Sequence, residues 1–209
     1  MGFDNTYGGI TSQAESANER DRLIAAARQV MERNGWWGFK VENVLKQSGL
    51  STRSFYRHFE KKSDLLVAVL DEELADLAVR LQDATAAPTT HSDRVRAYVV
   101  ETIDFAYSPD FAKRSSLLAS LWRELIDEYP EAIEHCAEKL IAPLSGIMAA
   151  GLAAGELECE NPVSDSRAIF YMLWSITADQ AALGSGATRT QVEDMALGFV
   201  ARAIGIHAP

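Results

Sequence analysis

Between Gly49 and Leu66 the chain reads GLSTRSFYRHFEKKSDLL. Arg53, Arg57, His58, Lys61 and Lys62 alternate there with Phe55, Tyr56 and Phe59. A guanidinium can bond a guanine edge at two points, and Thr or Tyr can meet a thymine methyl or a phosphate. Ammonium groups neutralise phosphates and set affinity and its salt dependence. On a helical wheel Phe55 and Phe59 share a face with the preceding Leu50, while Arg53, Tyr56 and Arg57 point away. Two aromatics would anchor such a helix, and its other face would offer two guanidiniums, a phenol and the hydroxyls of Thr52 and Ser54. A merely solvated basic face has the same spacing, so the pattern by itself leaves both readings open.

Other chemistry finds little support. The four histidines, His58, His91, His135 and His207, are scattered, and no Ser/His/Asp or Cys/His set is visible. There is no Gly-rich phosphate loop. Glu131 and His135 stand four apart in an acidic cluster of Asp127, Glu128, Glu131, Glu134, His135 and Glu138. Di-iron bundles need Glu-x-x-His twice, and the residue three before His135 is Ala132. The cluster reads as a solvated acidic face, and no catalytic residue, metal or cofactor is expected. Cys136 and Cys159 form neither a Cys-x-x-Cys pair nor a disulfide framework, which points to a reducing cytoplasm.

The elements that must position the basic segment follow from periodicity. Residues 1–17 lack it and read as a mobile tail. From Asn18, Leu23, Ile24, Ala27, Val30 and Met31 fall on one helical face, and Asn34-Gly35 ends the helix. Val41, Val44, Leu45 and Ser48 give a second, short face that stops at Gly49. Ser51 is a good N-cap for a third helix and Ser63 for a fourth, which Leu66, Val69, Leu70, Leu74, Leu77 and Leu81 make long and amphipathic. A helix, a tight turn at Gly49 and a short basic helix are the helix-turn-helix arrangement, in which the second helix enters the major groove.

After the connector DATAAPTTHS, Val95, Tyr98, Val99, Thr102, Ile103 and Ala106 share one helical face, and further helices are expected near 110–128, 130–155, 163–183 and 189–204, with Pro143 kinking or splitting one of them. A strand over VVETIDF is the alternative at one place. The fold class is therefore all-α, with about nine helices: a three-helix DNA-binding domain over residues 18–64, then a helical domain over 65–209.

The charge of −10 argues against wholesale binding of a polyanion. It is uneven, however: residues 1–62 carry +3 and residues 63–209 carry −13. A basic segment on an acidic body suggests that one part alone meets an anion. The apolar run Gly146–Gly155 is too short to span a bilayer, and no secretion signal is visible. The start MGFDNT fits a myristoylation pattern that is common by chance and lacks a basic patch to help it anchor.

Residues Leu23 to Leu66 resemble the N-terminal domain of TetR-type transcriptional regulators. The resemblance lies in Ala27, Gly35-Trp36, Val41 with Val44, Gly49-Leu50-Ser51, Phe55-Tyr56-Arg57-His58-Phe59, and Lys62 before Asp64-Leu65-Leu66. It implies a homodimer that reads a near-palindromic double-stranded operator, built on the last two long helices, with a small-molecule pocket in the C-terminal domain. It implies base reading by Thr52, Arg53 and Tyr56, and phosphate contact by Tyr56, Arg57, His58 and Lys62. Ser51 and Ser54 complete the candidate set. Lys40 departs from the family's Ser or Thr before the second helix. It can reach a phosphate but cannot accept the backbone bonds of a cap. Repression is the common case in the family, and the sequence leaves open whether a ligand releases DNA or promotes binding.

In the C-terminal domain Val192, Met195, Ala196, Phe199, Val200 and Ala203 form an apolar stripe. With the Ala-rich 168–183 segment it could meet a two-fold mate, or simply pack inside the subunit. Phe105, Phe111, Trp122, Tyr171 and Trp174, with Thr177, could line a pocket of about 300–1,000 Å³ or fill a core. Three functions remain: a ligand-switched regulator, a DNA-binding dimer with no sensor, and an all-α enzyme.

Overall fold

The computed structural model describes the backbone of residues 7–35, 39–108, 112–183 and 186–205, and side chains over 17–35, 39–108, 114–180 and 186–205. Trp36, Phe111, His207 and the MGFDNT start lie outside the described residues. Among those described are nine helices and no strand. They are α1 (Tyr7–Asn34), α2 (Val41–Ser48), α3 (Thr52–His58), α4 (Lys62–Ala86), α5 (His91–Tyr107), α6 (Ala112–Leu125), α7 (Pro130–Ala153), α8 (Pro162–Leu183) and α9 (Arg189–Ala203). The chain divides into two compact units, Met1–Leu70 and Asp71–Pro209.

In the first unit α1 packs against α2 and α3. Leu23, Ile24, Ala27, Val30 and Met31 are all buried, as their spacing predicts, together with Phe39, Val44, Phe55 and Phe59. Helix α1 starts at Tyr7, not at Asn18, so much of the expected tail is helical. Extending a helix already nucleated by an apolar face costs little even through a polar sequence. Gly49 closes α2 in the left-handed conformation at φ 67°, its N–H donating to the Leu45 carbonyl at 2.9 Å. A side chain would strain that turn. From α1, Arg22 Nη2 donates to the Ser48 carbonyl at 2.7 Å and fixes the turn from outside.

Helix α4 begins at Lys62, two residues earlier than a cap at Ser63 predicts. The cap falls instead to Asp64, whose carboxylate accepts from the Lys61 N–H at 2.9 Å. A carboxylate in the first turn satisfies an orphan donor and meets the positive end of the helix dipole.

In the second unit α5 packs on α7, α8 and α9, and α7 lies along α8. VVETIDF is part of α5. Val95, Tyr98, Val99, Ile103 and Ala106 are buried on its inner face, and the Tyr98 hydroxyl donates to the Leu140 carbonyl of α7 at 3.1 Å. Pro143 does not split α7, which stays one helix, with Leu140, Ile141 and Leu144 buried on either side of the missing bond. By length and composition α7 is the one described helix apolar enough to cross a bilayer. Its row Ile133, Cys136, Leu140, Leu144 and Met148 is buried within the unit. Thr188 and Gln191 form a full capping box at the start of α9.

Candidate nucleic-acid interface and effector cavity

Helix α3 is seven residues long, too short to be stable alone, so its neighbours must hold it. Ser51 caps it, accepting from the Ser54 N–H at 3.1 Å. Phe55 and Phe59 are buried with ring centroids 5.8 Å apart. Thr52, Arg53, Tyr56 and Arg57 are exposed, Tyr56 at 64%. Its ring stands edge-on to Phe55 at 5.3 Å, which orients the phenol outward. At about 100° per residue Arg53 and Arg57 lie about 160° from Phe55 on either side, which explains their exposure.

Two expected members of that face sit elsewhere. Ser54 is buried, and its hydroxyl lies 3.2 Å from Ser51 Oγ. It belongs to the cap, because the third helical residue turns back over the N-cap. The His58 side chain is only 8% exposed. It falls about 60° from Phe55 on the wheel, at the edge of the buried sector. Its Nε2 lies 3.3 Å from Glu19 Oε2, the oxygen to which Arg57 Nη1 donates at 3.1 Å. Glu19 stands 38 residues before Arg57, so no local pattern reveals this pairing.

Lys40 and Lys62 flank the head, and both are exposed. Lys40 occupies the N-cap of α2 with no side-chain cap bond, while its carbonyl accepts from Asn43 and Val44 at 3.0 and 3.3 Å. The Lys62 ammonium lies 5.1 Å from the centroid of the Phe39 ring, which steers it by cation–π attraction.

In the second unit a cavity is enclosed by α4, α5, α6, α7 and α8. Its walls are Leu77, Leu81, Tyr98, Thr102, Phe105, Ser115, Leu118, Ala119, Leu140, Phe170, Trp174, Thr177 and Ala178. No charged group is among its described lining residues. The Tyr98, Thr102 and Thr177 hydroxyls already donate to main-chain carbonyls. The void offers about 20 Å³ to the centre of a water-sized sphere, room for about one water. That is far below the expected pocket, because Phe105, Phe170 and Trp174 fill the space.

Of the predicted lining residues, Phe105, Trp174 and Thr177 face this cavity. Trp122 and Tyr171 instead border an open cleft between α6 and α8 of about 340 Å³, which shares Ala119, Trp174 and Ala178 with the cavity. The Trp122 and Trp174 rings meet tilted at 43° with centroids 4.6 Å apart and stand between the two spaces. The α4, α5 and α7 walls escape sequence reading, since a cavity-lining Leu and a core Leu have the same periodicity.

The α9 stripe splits in two. Val192, Ala196 and Val200 are buried within the subunit, joined by Ile204. Met195 and Phe199 are 54% and 51% exposed, and Ala203 is exposed beside them. Residues four apart share a face, and a one-residue offset turns the second row outward. Among the acidic cluster, Glu134 and Glu138 pair with Arg167 of α8.

Residues 23–69 match the family described as bacterial regulatory proteins, tetR family. The chain is 29% identical over 86 residues to the transcriptional activator FasR of Mycolicibacterium smegmatis, covering 41% of this chain and 39% of that protein. It is 26% identical over 160 residues to the transcriptional repressor NemR of Escherichia coli, covering 74% and 79%. The crystal structure of FadR from Bacillus subtilis in complex with stearoyl-CoA superposes with a TM-score of 0.72 at 17% identity, over 88% of this chain and 98% of that one. The matched segment runs from the buried face of α1 through the capped α3 to the start of α4, and this N-terminal segment is of the tetR family of bacterial regulatory proteins.

Proposed function

We propose that the protein is a cytoplasmic, ligand-responsive repressor that binds a near-palindromic operator as a homodimer. The observation that carries the DNA-binding part is α3. Thr52, Arg53, Tyr56 and Arg57 project outward from a helix anchored by Phe55 and Phe59. Thr52, Arg53 and Tyr56 read bases, and Arg57, Lys40 and Lys62 meet phosphates. Residues 18–64 form the reading head and residues 65–209 the sensor and dimeriser. Met195, Phe199 and Ala203 on α9 meet the same row of a second copy.

The effector is small and largely apolar, since the described lining of the cavity is mostly apolar and carries no charged side chain. Burying an ion there would be costly. The stearoyl-CoA bound to FadR supports a ligand in a protein of this fold. Leu77 and Leu81 belong to the same unbroken helix that starts at Lys62, beside the reading head. A molecule that widens the cavity therefore presses on α4. The expected coupling is about 1–3 kcal/mol, a 5–150-fold change in operator affinity.

A second reading keeps the DNA-binding dimer and drops the sensor. The small void favours it, as a filled core needs no ligand. One experiment separates them. Genomic fragments are captured by the protein with and without a small-metabolite extract. A shared palindrome captured in both conditions supports the sensorless dimer, and its loss with extract supports the ligand-released repressor. No enriched sequence in either condition overturns both.

A further inference from the structure

The reading head carries its own anion. Glu19 Oε2 accepts from Arg57 Nη1 at 3.1 Å and lies 3.3 Å from His58 Nε2. The reading proposed above gives Arg57 to phosphate. We infer that Glu19 occupies, in the free protein, the place of a DNA phosphate on Arg57 and restrains sequence-independent binding. This rests on α3 being the DNA-reading helix.

The geometry supports an exchangeable contact. A carboxylate oxygen and a phosphate oxygen are both anionic acceptors for a guanidinium. The Arg57 side chain is 51% exposed and that of Glu19 is 24% exposed, so solvent screens the pair. Exposed pairs of this kind hold weakly. Phosphate can therefore take Arg57 by turning one side chain, with no helix moving. His58 differs, because its ring is nearly buried and stays on the Glu19 side of α3. Glu19 thus holds two donors, one that DNA can claim and one that keeps α1 against α3.

The consequence is selectivity. Sequence-independent affinity rises with each phosphate neutralised. A head whose arginine is already satisfied gains less from a random backbone than from an operator where base contacts hold α3 in register. The net charge of only +3 over residues 1–62 points the same way.

The test uses the full chain and its Glu19→Gln, Arg57→Ala and doubly substituted forms. Binding to a random-sequence duplex is followed by fluorescence anisotropy over a range of salt concentrations, with a melting curve for each protein. Glu19→Gln should tighten random-sequence binding roughly two- to fivefold. It should also steepen the salt slope by about 0.9, one further phosphate. Arg57→Ala should cost little in the native chain and abolish the gain in the double variant. A Glu19→Gln protein that binds random DNA no better than the native chain overturns the inference. So does a native-background Arg57→Ala that already removes a full phosphate from the slope, a result that stands even if Glu19→Gln melts early. A native chain that binds no duplex at low salt, by contrast, defeats the DNA-reading assignment itself and the inference with it.

Discussion

The Glu73 carboxylate, wholly buried on α4, accepts a 2.7 Å hydrogen bond from Arg114 Nε at the start of α6. Arg114 also donates through Nη2 to Asp76 at 2.8 Å. Burial works against the Arg114 charge, yet the bonds to Glu73 and Asp76 outweigh it and hold its pKa above the ordinary value. Removing one partner of a buried pair leaves an uncompensated charge, the expensive case. Arg114→Ala should therefore destabilise the protein by about 3 kcal/mol, the low end for buried pairs because Arg114 is partly solvated. The paired change Glu73→Gln with Arg114→Met should cost much less. Urea denaturation of the three proteins checks this, and equal losses would show that the ion pair does not set the cost.

The roles assigned on the reading head predict different signatures. Arg53→Ala should cost about 1–3 kcal/mol at the operator and relax specificity at the base pair it meets. Lys62→Ala should weaken all duplexes alike and flatten the salt slope by about one. Titrations of operator and random DNA at several salt concentrations separate the two. Both variants losing specific and random binding equally would reverse the assignment.

Phe55 has another part. It is 1% exposed and contacts both Tyr56 and Phe59. Phe55→Ala leaves a cavity worth about 3–5 kcal/mol beneath a seven-residue helix. The first unit should lose helical signal at a lower temperature, and binding to every duplex should fall together. Retained binding with a native melting curve would show that α3 does not depend on this anchor.

Much of this head was legible because its cues are local. Leu23 to Met31, Gly49, Ser51 and Phe55 each announce themselves by spacing or turn chemistry. Glu19 does not, since its partners lie 38 and 39 residues away. Ser54 and His58 misled the reading because both sit near the border of the buried sector, where the wheel alone does not decide. In the second unit the helices were legible and the cavity was not. Phe105, Trp122 and Tyr171 read alike as apolar helix positions, and only the crossing of five helices puts Phe105 on the cavity and the other two on the cleft. The α9 stripe needed a one-residue distinction that hydrophobicity does not make.

Cys136 supplies a pH prediction. Burial, then the neighbouring Asp71 carboxylate, pushes its thiol up to about 12. The folded state thus keeps this proton more tightly than the unfolded chain, whose thiol titrates near 9.0. Its contribution is fully present below pH about 9 and is lost as pH rises toward about 12. Stability should fall over that alkaline window, and Cys136→Ala should flatten the fall. At neutral pH the thiol should resist iodoacetamide until denaturant is added. Rapid modification of Cys136 in the folded protein would contradict its burial.

The outer row of α9 makes the dimer testable without touching the core. Met195 and Phe199 are more than half exposed, whereas Val192, Ala196 and Val200 hold α9 to its own subunit. A charge at Phe199 should therefore leave the fold intact and act only on association. Phe199→Glu should sediment as a monomer with an unchanged melting curve at low concentration. A two-headed reader must span half-sites about 34–36 Å apart, so a monomer loses the second head's contribution. Operator affinity should drop steeply, while binding to random duplex at low salt should change far less. Val200→Ala should do the reverse, lowering thermal stability by about 0.5–1.5 kcal/mol or more with little direct effect on the interface. If Phe199→Glu remained dimeric, the interface would lie on another face, and the exposed Val163 and Tyr171 of α8 would be the next row to change.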